Sequence, residues 1–152
     1  MPKFSTNHRV AHSADEMFAL VADIEAYPQF VPLCEKLTIR GRSREGTREV
    51  LVADMTVGYK AIRETFTTKV VLDRATNAIL ADYLDGPFRY LHTVWQFRAE
   101  GADGCLVGFA IDYEFKSRVL AALMGSVFDR AFRKFSTAFE ERADRVYGAS
   151  PA

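Results

Sequence analysis

The side chains best suited to chemistry are few and poorly grouped. His8, His12 and His92 show neither His-Glu-x-x-His spacing nor a nearby cysteine pair, so no metal site is expected. Cys34 and Cys105 form no Cys-x-x-Cys motif, which points to a reducing compartment without a disulfide framework. The segment "GRSREG" at 41–46 places its second glycine one position too late for a nucleophile elbow, and it joins two strands rather than a strand and a helix. Phosphate-cradling glycine loops are absent from the sequence.

Asp112 and Glu114 fall on the polar side of an alternating segment, where water rather than a substrate is the expected neighbour. Glu64 shares its parity with Ile62 and Phe66, so it reads as an inward carboxylate that needs an arginine, a water or a polar ligand atom. Arg40, Arg42, Arg44 and Arg48 cluster around one turn, interrupted by Glu45 and Glu49. Such a cluster is either a solvated turn or a contact for RNA or phosphate.

These residues must be positioned by a chain of 152 residues, 49% hydrophobic and 26% charged, which suits a single globular domain. The reading places that domain at 1–148 and a flexible tail at 149–152. Twenty basic and twenty acidic side chains cancel, so the whole chain offers no field that would gather DNA or anionic lipid. No apolar run approaches the roughly 18 residues of a membrane span, and the N-terminus lacks a signal-peptide core. A cytoplasmic protein is expected.

Local patterning supplies the elements. Phe4, Thr6, His8 and Val10 alternate with polar residues as a half-buried first strand. Ser13 and Glu16 form a capping box, opening a helix over about 14–24 with Phe18 and Val21 on its apolar stripe. Pro28 and Pro32 then allow only short turns, which carry Tyr27, Phe30, Val31 and Leu33. Period-two segments follow, with Leu37 and Ile39, Leu51 to Val57, and Ile62 to Leu72. Next come "AILADYL", then Thr93, Trp95 and Phe97, and finally Cys105 to Phe115. Seven strands joined mostly by hairpins predict one curved antiparallel sheet with a single apolar face, an α+β fold.

From Ser117 to Tyr147 the period changes to threes and fours, with Gly148 as a natural stop. This long helix is the element large enough to cover the sheet. Its second half carries charges on its outer side, whereas Val119 to Phe128 is nearly all apolar. The expected cover for that apolar half is the greasy connection "YPQFVPL" at 27–33, which would form the lid or mouth of an apolar pocket between sheet and helix.

The chain resembles the coenzyme Q-binding START-domain family of the polyketide cyclase/lipid-transport superfamily. That family also takes in bacterial proteins named as ribosome-association toxins. The likeness rests on "ALVADIEAYPQFVPLC", "MTVGYKAIRETFTTKV", "LDGPFRYLHTVWQF" and "FDRAFRKF", and covers about residues 3–147. It implies a START-like helix-grip fold with a deep apolar tunnel, no catalytic apparatus and no cofactor. The implied cargo is ubiquinone or a similar polyprenyl lipid, carried in support of respiration. Matched by position, Tyr27, Pro28, Phe30, Val31 and Cys34 correspond to the mouth, Val57, Gly58 and Tyr59 to the central hairpin, and Phe88, Tyr90, Leu91 and Trp95 to the inner wall.

Together these readings give the expected ligand contacts. From the mouth come Tyr27, Phe30, Val31 and Leu33. The sheet contributes Met55, Phe66, Phe88, Tyr90, Trp95, Phe97 and Phe109, with Glu64 as a polar contact. The helix contributes Leu120, Met124, Phe128 and Phe132. Tyr27 and Phe30 are expected to touch a bilayer surface transiently, at the inner face of the respiratory membrane. Two other functions compete with a lipid carrier. One is a ribosome-binding protein using Arg40, Arg42 and Arg44; the other is a cyclase-type enzyme, for which Glu64, Tyr90 and His92 are the candidates.

Overall fold

The computed structural model describes residues 3–148, so the expected tail at 149–152 lies outside the described residues. The chain runs β1 (Lys3–Val10), α1 (Ala14–Ala22), a 3-10 helix (Ile24–Gln29), β2 (Cys34–Glu45), β3 (Arg48–Tyr59), β4 (Ile62–Asp73), β5 (Ala78–Asp85), β6 (Phe88–Ala99), β7 (Cys105–Phe115) and α2 (Arg118–Tyr147). The seven strands form one antiparallel sheet in the order β1-β7-β6-β5-β4-β3-β2. Each neighbour after β1 is a hairpin partner, joined through a short turn.

The capping box is present. Ser13 Oγ accepts from the Glu16 N–H at 3.1 Å, and the Glu16 carboxylate accepts from the Ser13 N–H at 3.0 Å. α1 buries Met17, Phe18 and Val21, then stops at Asp23. The next turn tightens into a 3-10 helix that contains Pro28, since a proline without an N–H ends the α-helical ladder. That turn carries the connection along the C-terminal half of α2 and delivers it to β2.

The geometry corrects the expected role of this connection. It does not cover Val119 to Phe128. Tyr27 and Phe30 instead lie 5.4 and 5.0 Å from Phe139, in the other half of the helix. Val119 and Leu123 are left 70% and 57% exposed, because α2 begins at the end of the sheet opposite to α1 and the 3-10 helix is too short to reach back that far.

Two irregularities shape the wall of the interior. A bulge between Phe88 and Tyr90 turns both Phe88 and Leu91 inward and puts Tyr90 on the outer face, opposite Glu114. β4 pairs with β5 only from Thr67 onward, so its first residues project with β3 as a free hairpin. Gly86, at φ 139°, lets the β5–β6 turn cross against β4, where a Cβ would meet Phe66 at 2.7 Å.

Candidate functional site

Between sheet and helix lies an apolar cavity of about 120 Å³. The mouth segment walls one side with Ile24, Tyr27, Val31, Pro32 and Leu33. β3 and β4 supply Ala53, Met55, Val57, Phe66, Thr68 and Val70; β5 to β7 supply Ile79, Ala81, Leu91, Thr93, Trp95, Phe109 and Ile111. α2 closes it with Phe128, Ala131, Phe132, Phe135 and Phe139. Trp95 is 5% exposed and packs 4.5 Å from Phe109 and 4.9 Å from Phe139, so the helix and the inner sheet share one aromatic layer.

Each side chain reaches the cavity for a local reason. Period-two alternation turns Met55, Phe66, Trp95 and Phe109 to the same concave face. Spacing of threes and fours does the same for Phe128, Phe132, Phe135 and Phe139 on α2. Tyr27 is held by its hydroxyl, which donates to the Val21 carbonyl, and burial pushes its phenol pKa upward. Leu33 adopts φ 69°, a left-handed conformation uncommon for a leucine, while its carbonyl accepts from the Gly58 N–H at 3.0 Å. This kink aims Leu33 into the cavity where the chain turns into β2.

Of the expected ligand contacts, Tyr27, Val31, Leu33, Met55, Phe66, Trp95, Phe109, Phe128 and Phe132 line this cavity. Six others do not. Phe30 sits outside it, against Phe139 and beneath the Arg142 guanidinium at 5.1 Å. Phe88 is fully buried in a solid cluster with Phe66, Phe115 and Phe128. Phe97 packs under α1 against Phe18 at 5.8 Å. Tyr90 faces outward because of the bulge, and Leu120 and Met124 lie on α2 before its cavity-lining stretch. Phe135 and Phe139 were missed, although they continue the same helical stripe. Thr68 and Thr93 were missed because a threonine on an inner face carries no hydrophobic signal.

The tunnel implied by resemblance is, in this structure, a chamber of roughly one ring, since a 150 Å³ cavity holds benzene. Tyr27 and the α2 phenylalanines fill the remainder. No Lys, Arg, His, Asp or Glu lines it.

The titratable residues lie elsewhere. Glu64 does share the face of Phe66, but it stands half-buried on the projecting hairpin, outside the cavity lining. His8 and His12 pair with Glu140 and Asp144 of α2, each at 2.7 Å, and His92 pairs with Asp82 on the outer face. Burial pushes the Cys34 thiol up to about 11. Among the described residues no group of three or more His, Cys, Asp or Glu side chains could hold a metal. The arginine turn is largely neutralised by its own acids: Arg40 lies 3.7 Å from Asp54, and Arg42 lies 2.9 Å from Glu25 and 3.6 Å from Glu49. Arg44 alone of the three has no ion pair among the described residues, and it lines a polar cleft with Arg74.

A curved antiparallel sheet gripping one long helix around an apolar cavity defines a START-like fold for hydrophobic ligands. The chain belongs to the polyketide cyclase/dehydrase and lipid transport family, whose model matches residues 10–140. It is 34% identical to the ribosome association toxin RatA of Escherichia coli over 98% of this chain and 91% of that one. It is 29% identical to a mitochondrial coenzyme Q-binding protein of Xenopus laevis, over 96% of this chain and 59% of that one. Among solved structures, an 18 kDa protein of Caulobacter crescentus superposes with a TM-score of 0.79 at 34% identity, covering 98% of this chain and all of that one. No helix among the described residues is long and apolar enough to cross a membrane.

Proposed function

We propose that this protein is a non-catalytic carrier of an apolar lipid of the polyprenyl quinone class. The observation that supports it is the cavity itself: an aromatic chamber sized for one ring and bordered by no ionisable side chain except the buried Tyr27 phenol. General acid–base chemistry needs a titratable group beside the reacting atom, and Glu64, Tyr90 and His92 all lie outside the cavity lining. The ring would occupy the chamber and the prenyl chain would leave toward the loosely seated start of α2. Organic extraction of the purified protein followed by mass spectrometry tests this. A co-purifying prenyl quinone is expected, and a protein that is empty and takes up none would refute it.

Release of such cargo needs a membrane. Tyr27 and Phe30 are committed to Phe139, so the docking face is the opposite end of the molecule. There Val119, Leu123 and Leu84 are exposed, and Lys116 and Arg118 carry no ion pair among the described residues, which suits an anionic bilayer. Leu123→Asp should lower flotation with liposomes containing anionic lipid while leaving the circular dichroism spectrum unchanged.

A second reading is ribosome association, and the names of the relatives favour it over the quinone reading. Its natural surface is the cleft bearing Arg44 and Arg74, whose guanidinium lies 4.5 Å from the Phe18 ring. Co-sedimentation with large ribosomal subunits should then be lost in Arg44→Glu, whereas Arg40→Glu, at a cation already paired with Asp54, should have less effect.

A further inference from the structure

Thr68 and Thr93 are the exceptions in an otherwise apolar chamber. Each is only 8% exposed, and each lines the cavity. A hydroxyl on an apolar lining is costly unless something bonds it, and valine would fill the same space at no such cost. The two stand on opposite sides of one small residue. Ala81 of β5 pairs with Thr93 of β6, and across its other edge with Val70 of β4, two positions from Thr68. Strand spacing then puts the two threonine Cα atoms roughly 12 Å apart across a concave surface. A ring bearing an oxygen at each end, lengthened by a hydrogen bond of about 2.8 Å at either side, spans a gap of that order.

Charge narrows the ligand further. With no cation on the lining, a carboxylate or phosphate would be desolvated without compensation. We infer that Thr68 and Thr93 form the head-group subsite of the cavity, and that they select a neutral ring carrying hydrogen-bond acceptors over anionic lipids. This rests on the lipid-carrier reading and deepens it: the ligand enters head first, and its chain points to the start of α2.

The test uses Trp95, two positions from Thr93 on the same face, as the reporter. The full chain is titrated with a short-chain ubiquinone and, separately, with a long-chain methyl ketone that displaces a fluorescent lipid. Thr68→Val and Thr93→Val should each weaken binding of both probes by roughly three- to tenfold, while Thr→Ser at either position retains it. Squalene, which lacks acceptors, should compete equally in wild type and in the double Val variant, and palmitate should not compete at all. Melting temperatures of the Val variants should hold or rise, which excludes misfolding as the cause of lost affinity. Weaker ketone binding in the Val variants, alongside no quinone binding by wild type, would leave the subsite standing and overturn the quinone reading. Unchanged affinities in the Val variants, tight palmitate binding, or no binding of either probe would overturn the subsite.

Discussion

The two halves of α2 are held to the sheet in different ways. The C-terminal half is clamped on several sides: Glu140 and Asp144 pair with His8 and His12, and the Tyr147 hydroxyl donates to the Glu16 carbonyl at 3.0 Å. Arg142 donates to Gln29 at 3.1 Å, and Phe139 sits among Tyr27, Phe30 and Trp95. The N-terminal half has a single side-chain cap from Ser117, no acid in its first turn, and Val119 and Leu123 facing solvent. Between them lie Phe128 and Phe132, the closing residues of the cavity. A helix fixed at one end and lightly seated at the other gives its chamber a direction of opening, away from the clamp.

Stability measurements can break this comparison most directly. Phe139→Ala removes a ring that is 1% exposed from the centre of the clamp and should cost about 3–5 kcal/mol in urea denaturation. Leu123→Ala should change stability by less than about 0.5 kcal/mol, because that side chain is mostly in water. Comparable losses would mean that the first turns of α2 carry as much of the fold as the last. A smaller contrast follows for the polar ties. His12→Ala removes a buried imidazole together with its hydrogen bond to Asp144 and should cost about 1–3 kcal/mol. Ser117→Ala removes one cap and should cost about 1 kcal/mol, read in the same denaturation series.

Most of this asymmetry was legible in the sequence, though with one element misplaced. Alternation located the strands because one face of the sheet is buried and the other is wet, and the hairpin turns fixed their order. The change from apolar to charged residues along α2 was visible, but the inference that the 27–33 connection covers the apolar half failed: Met124, Val127 and Phe128 are buried, whereas Val119 and Leu123 are exposed. Sequence gives the composition of a helix face and not what lies opposite it, and Val119 and Leu123 face nothing. Tyr90 was assigned to the wall by its matched position in the family resemblance, together with Phe88 and Leu91. Their shared face depends on a bulge, which inserts one residue and leaves no compositional mark. Thr68 and Thr93 had the right parity all along. What was missing was the knowledge that the residues around them would leave a void, which depends on side-chain packing across three strands and a helix.

The finest test of the two ends uses the cysteines, one near each. Cys34 opens β2 at the end where α2 begins, and Cys105 opens β7 at the clamped end, opposite Val10. Both are buried, at 6% and 0% exposure, and burial raises both thiols above their ordinary value. With Cys34 at about 11, roughly one thiol in a thousand is ionised at pH 8, so alkylation from the closed state is slow and reaction reports opening. Iodoacetamide at pH 8 should therefore label Cys34 ahead of Cys105, with peptide mass spectrometry separating the two sites. Equal rates would mean that both ends open only by global unfolding, and the loose end would lose its meaning. The same burial sets a pH dependence. The unfolded chain ionises its thiol near the ordinary value of 9.0, while folded Cys34 holds its proton to about 11. The folded state binds more protons in that window, so stability should fall as pH rises from about 9 to about 11. Cys34→Ser should flatten part of that decline, and Cys34→Ser combined with Cys105→Ala should flatten more of it.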